Sequence, residues 1–255
     1  MLKISKLRVK RRRFIVMCNE TVLDLGRMRW EICKDEKSGK LYYQKTLHID
    51  EETGMLIAYI RIPKAFKGSL QRHDTDFWIY VMKGQLETDG ELYGHDTLIK
   101  YPEGIISQNG TTVCDEVEIL LISSKAYTTE YVDAYEETGL QKEVVDVKGK
   151  EWFYRATSTD GKIFGKKGIV LDEDTGIQIN YMNYPAGFTT YKHKHPAGHG
   201  FFVISGQLQS GGNFYGPDTF IWYPEGYITD HGASAYEDLL CLQISNKAFS
   251  IEYVK

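Results

Sequence analysis

The chain has 255 residues, which is room for one large domain or two of ordinary size. With 42% hydrophobic and 26% charged residues its composition is globular, too apolar for a disordered chain. No apolar run approaches the roughly 20 residues of a membrane span, and the net charge of −4 is unevenly spread.

Residues 1–21 form a basic N-terminal segment. Its first 19 residues hold Lys3, Lys6, Arg8, Lys10, Arg11, Arg12 and Arg13 and no acid, which leaves −11 on the rest of the chain. An acidic body repels a phosphate backbone, so nucleic acid is not expected along its face. The segment lacks the 7–15-residue apolar stretch of a secretory signal. It reads as a solvated leader or as upstream sequence, with Met17 an alternative start; contact with RNA, DNA or anionic lipid is the competing reading.

From residue 22 onward the pattern is β. The first unit, 22–133, predicts strands at MLIAYIRI (55–62), DFWIYVM (76–82) and EVEILLIS (116–123). The Gly-containing stretch KGQLETDGELYG (83–94) separates two of them as a hairpin signal, and YPEG (101–104) marks a turn. A polar stretch, 134–143, reads as a linker. The second unit, 144–255, repeats the order: IQINYMNY (177–184), GFFVIS (200–205), SGQLQSGGNFYG (205–216), YPEG (223–226) and DLLCLQIS (238–245). Shifted by 122 residues the two units align without a gap, with 39 identities over 112 positions. This is a tandem duplication. Trp30 falls on Trp152, DEETG (50–54) on DEDTG (172–176), and ISSKAYTTEYV (122–132) on ISNKAFSIEYV (244–254). The prediction is an all-β chain of two sandwich- or barrel-like units packed as a pseudo-symmetric pair.

The histidines are not spread evenly. Three of the seven lie within 193–199. In an extended strand His193 and His195 share a face. A bend at Pro196, Ala197 and Gly198 then lets His199 face the same volume. Imidazoles on one face suit Fe, Zn, Mn, Ni or Cu, and a surface histidine patch is the plainer reading. The four cysteines, Cys18, Cys33, Cys114 and Cys241, have no paired spacing. They read as thiols of a reducing, cytoplasmic setting.

The second unit resembles the cupin superfamily. The first cupin motif, Gly, five residues, His-x-His, three or four residues, Glu, six residues, Gly, is matched in spacing by Gly187, His193, His195, His199 and Gly206, with His199 in the Glu position. The second motif, Pro-x-Gly, two residues, His, is matched by Pro224 and Gly226; Thr229 takes the His position and His231 lies two residues on. Positions 229 and 231 share a face if the backbone stays extended, so His231 is a candidate substitute. The resemblance implies two tandem cupin barrels (jelly-roll, or double-stranded β-helix). It implies a divalent metal ion in the C-terminal one, held by His193, His195, His199 and His231, with either His199 or His231 as third ligand. At the aligned positions the first unit has Gln71, His73, Phe77, Ser107 and Asn109, so it reads as a degenerate cupin.

The stretch HPAGHGFFVISGQL (195–208) is most similar to the branch containing the ChrR-type cupin domain and the diketone- and acetophenone-cleaving dioxygenases. That resemblance implies a metal-dependent dioxygenase, or a related enzyme acting on a small carbonyl or enol substrate. The alternative is a non-catalytic cupin module that senses a metal or ligand. Tyr181, Tyr191 and Thr229 are candidate pocket residues, and Asp230 a candidate to orient a ligand. Trp222 is expected in the core and Glu225, like its twin Glu103, in turn chemistry. Beyond a small molecule, no partner is indicated; a homo-oligomer is compatible with the sequence.

Overall fold

The structure is a computed structural model describing residues 19–156 and 161–254; most of the basic segment, with Met17 and Cys18, lies outside the described residues. Among the described residues there are 24 strands and no helix. They form two jelly-roll barrels in tandem, as the duplication predicts.

Each half has one large sheet and two small ones. In the first, the order is Glu143–Asp146, Thr97–Tyr101, Phe77–Lys83, Val117–Ser123, Leu56–Ile62, Leu41–Ile49, Glu31–Lys34. In the second it is Thr21–Asp24, Thr219–Tyr223, His199–Ser205, Leu239–Ser245, Gln178–Tyr184, Ile163–Leu171, Phe153–Ala156. A three-stranded sheet accompanies each, Asn109–Thr111, Leu86–Thr88, Glu91–Tyr93 in the first half and Asn213–Tyr215, Leu208–Ser210, His231–Ala233 in the second. Two-stranded ribbons complete them: Thr129–Tyr131 with Gln71–His73, and Glu252–Tyr253 with His193–Lys194.

The first strand of each half crosses to the other half's sheet. Thr21–Asp24 pairs with Thr219–Tyr223, and Glu143–Asp146 pairs with Thr97–Tyr101. Each crossing is pinned by a buried lysine. Lys45 Nζ donates to Leu25 O at 2.6 Å and lies 4.0 Å from the Trp30 ring; Lys167 Nζ donates to Val147 O at 3.0 Å and lies 4.7 Å from the Trp152 ring. The repeated Trp and Lys of the sequence are therefore a clamp on the exchanged strand.

Both faces of the central strands of each large sheet are buried, which explains their near-continuous apolar runs. Inward residues alternate with outward ones. Ile79, Val81, Ile119 and Leu86 fill the first barrel, and Phe201, Val203, Cys241 and Leu208 the second. The alternate positions, Tyr59, Trp78, Tyr80 and Leu120 against Tyr181, Phe202, Trp222 and Leu242, form a third core between the barrels. Each such fully buried side chain contributes roughly 1.5–3 kcal/mol. Trp222 thus lies in the core, as expected, with His48 stacked on it at 3.8 Å. Gly206 of the motif has φ of 75°, and a Cβ there would lie 2.1 Å from Asp238 O; its twin Gly84 is held the same way. Only glycine fits both constraints.

Candidate metal centre

The strand His193–Lys194 is only two residues long, and it is held at both edges. On one side it pairs with Glu252–Tyr253; on the other His193 exchanges backbone hydrogen bonds with Thr229, at 2.9 and 3.0 Å. His199 opens the next strand and faces the barrel interior, in register with Tyr223 and Ser245. His231 opens the strand His231–Ala233, so it reaches the same space from the opposite sheet.

Three of these imidazoles converge. Ligand atoms of His193, His195 and His231 lie within 4.8 Å of one another, and His193 Nε2 is 3.1 Å from His231 Nε2. His199 stands at the edge of the group, its ring 4.4 Å from that of His195 and 6.4 Å from that of His231. All four residues are buried, at 1–5% exposure.

Ring orientation is set from behind. His193 Nδ1 lies 2.7 Å from Tyr191 O, and His195 Nδ1 lies 2.5 Å from Ser250 O. A carbonyl only accepts, so each Nδ1 carries the proton and each Nε2 presents a lone pair to the centre. His195 Nε2, His231 Nδ1 and both nitrogens of His199 have no hydrogen-bond partner among the described residues. A buried polar atom without a partner costs about 1–3 kcal/mol. A cation would satisfy the inward-facing nitrogens. The separation of 3.1 Å is close to the edge of about 3.3 Å in a tetrahedral site with bonds near 2.0 Å. The residues present therefore fit a divalent ion, and this donor set, all nitrogen and no carboxylate, suits Zn, Fe, Ni or Cu better than Mn, which prefers oxygen ligands.

The surroundings keep the rings neutral. Phe249 stacks on His195 at 4.0 Å, Tyr223 on His199 at 5.2 Å, and Phe201 lies 4.9 Å from His231. Burial lowers the pKa of His193, takes that of His195 down to about 4, and holds His199 and His231 well below the usual imidazole value. Neutral imidazole is the form that binds a metal.

The other candidates separate. Thr229 is buried beside His193, with its hydroxyl 3.1 Å from Ser210 Oγ. Tyr181 is a correction: it lies in the core between the barrels, because odd-numbered residues of Gln178–Tyr184 face the other barrel and even-numbered ones face the interior. Tyr191 exposes 58% of its surface, and its carbonyl accepts from His193 Nδ1. The Asp230 carbonyl accepts from Ser210 Oγ. Glu225 pairs with Lys247 at 2.5 Å and Glu103 with Lys125 at 3.1 Å, the same exposed turn contact in both halves.

Two features are not among the sequence candidates. Asn180 Nδ2 donates to Gln243 Oε1 at 3.1 Å, both buried on the inward face near Phe201. Their twins are Ala58 and Leu121, so a polar pair breaking an apolar strand pattern was the available signal. The other is the C-terminal segment 249–253, which covers the histidines with Phe249, Ser250 O and Tyr253.

No protein-family model and no curated protein sequence matches the chain. Solved structures do. A protein from Nostoc punctiforme described as a "putative dioxygenase" superposes with a TM-score of 0.78 at 13% identity, over 92% of this chain and 87% of that one. The likeness is one of fold, two tandem jelly-roll barrels. Oxalate decarboxylase from Bacillus subtilis gives 0.58 at 12% identity, over 91% of this chain and 78% of that one. Hazelnut (Corylus avellana) vicilin gives 0.59 at 11%, over 90% and 87%. The range of those names shows why this fold does not state an activity.

Proposed function

We propose that the C-terminal barrel is a divalent-metal centre of a dioxygenase-type enzyme acting on a small carbonyl or enol substrate, with His193, His195 and His231 as ligands and His199 beside them. The observation that carries the reading is the convergence of three buried, neutral imidazoles, two of them oriented by backbone carbonyls. Such an ion supplies Lewis acidity to a carbonyl or enol oxygen and redox chemistry toward O₂. The chain supplies the rest. Tyr191 O and Ser250 O hold the Nδ1 protons and so fix the ring faces. Phe201, Phe249 and Tyr223 exclude water. Asn180 and Gln243 place a carboxamide pair on the inward wall, suited to hold a substrate oxygen. The ChrR-like and diketone-cleaving resemblances belong to this proposal, as does a cytoplasmic setting, to which the free thiols Cys33, Cys114 and Cys241 are suited.

The test is elemental analysis of untagged protein, followed by oxygen uptake with β-diketones and hydroxyacetophenones. About one metal per chain with substrate-dependent uptake supports the enzyme; a metal-free protein ends the reading. A second reading, a non-catalytic sensing module, is favoured by the burial of all four imidazoles, three of them packed against Phe249 or Tyr253. One metal per chain with no uptake on any of these substrates selects it.

A further inference from the structure

The N-terminal barrel holds a partly open cavity of about 110 Å³. Its origin is visible in the repeat. Ile62 and Ile79 stand where the second barrel has Tyr184 and Phe201, and Gln71 and Asn109 stand where it has His193 and His231. Four rings have become four smaller side chains, and all four line the space. An engineered apolar cavity of about 150 Å³ holds benzene, so this one is of single-ring size.

Its chemistry is selective. Phe77 and Tyr127 each meet His73 edge-on at 4.9 Å, forming aromatic walls. His73 is 8% exposed, and its Nδ1 lies 3.2 Å from Thr128 O. A carbonyl only accepts, so this contact places the proton on Nδ1, with the Thr129 hydroxyl 3.3 Å away, and leaves Nε2 as an acceptor. Asn109 Oδ1 accepts from the Tyr101 hydroxyl at 3.2 Å, which leaves its amide hydrogens to donate. No Lys or Arg lines the cavity, and the Asp35 carboxylate does. An anion is disfavoured there; a neutral molecule is not.

We propose that the N-terminal barrel is a second, metal-independent binding site for a small neutral hydroxylated ring, phenolic or enolic, whose O–H donates to His73 Nε2. This inference does not rest on the metal centre.

The probes are phenol, toluene and benzoate, titrated into the full chain by calorimetry with saturation-transfer NMR as a check. Phenol is expected to bind at least about 10-fold more tightly than benzoate. Ile79→Phe, which installs the residue of the second barrel, should abolish phenol binding while leaving metal content and melting temperature unchanged. His73→Phe should weaken phenol about 10-fold and leave toluene unaffected; it carries the test if Ile79→Phe does not fold. Benzoate binding as tightly as phenol, phenol binding unchanged in either variant, or no phenol binding up to about 10 mM overturns the proposal.

Discussion

The two barrels share a backbone plan and differ in what fills them. At one position each keeps an imidazole backed by a carbonyl, His195 with Ser250 O and His73 with Thr128 O. Around it the second barrel assembles His193, His199 and His231, and the first has Gln71, Phe77 and Asn109. The ring at one of these sites survives the change. Phe77 stacks on Tyr101 at 4.6 Å as His199 stacks on Tyr223 at 5.2 Å. Packing tolerates that exchange because both are flat rings of similar size; coordination does not, because only one carries a nitrogen. A duplicated scaffold can thus lose its ligands without losing its core.

The contrast can be broken most sharply by moving the ligands. His193→Ala/His195→Ala should drop metal from about one equivalent per chain to near none, because one remaining converging imidazole cannot hold a cation. Conversely, Gln71→His/Asn109→His beside His73 should add a second equivalent; elemental analysis reads both. Stoichiometric metal in the first variant would falsify the site.

A smaller but global effect is expected between the barrels. Phe202 is fully buried there, stacked 5.6 Å from Tyr59 of the other half. Phe202→Ala should cost about 3–5 kcal/mol, with both halves unfolding in one denaturant transition; two separated transitions would mean the halves are energetically independent.

Within the second barrel the third ligand can be ranked. His231→Ala should weaken metal binding by about 100-fold or more and His199→Ala by about 10-fold or less, in a chelator competition. The reverse order would move the centre toward His199.

The pH response should be the mildest difference. Burial lowers the imidazoles of the second barrel, His195 to about 4, so as pH falls below 6.5 the unfolded chain takes up protons first. Stability of metal-free protein is full above that range and is lost as pH drops toward 4. The first half contributes His73 and His48, the latter taken down to about 4 by burial, against four lowered imidazoles in the second. Thermal melts between pH 7.5 and 4.5 should therefore steepen less in His193→Ala/His195→Ala; an unchanged slope would argue that other groups set it.

Much of the centre was legible because its signals are local. Three histidines within seven residues, and a turn followed by an extended pair, need only strand parity to be brought to one face. Tyr181 misled for the opposite reason. Parity gives two faces, and in this molecule both are buried, one in a barrel and one between barrels, so apolarity could not say which face Tyr181 takes. Asn180 with Gln243, 63 residues apart, and Phe249 over His195 are contacts between distant strands.

The sequence by itself determined the duplication, the all-β class and the uneven sharing of histidines, because repeats, alternation and composition are properties of the chain read in order. Only the tertiary structure decided that the first strand of each half joins the other's sheet. It alone decided that His231 rather than His199 completes the converging group, and that the first barrel is hollow. Those outcomes depend on which strands hydrogen-bond and how ring volumes fill a closed space, and neither is set by residues adjacent in the chain.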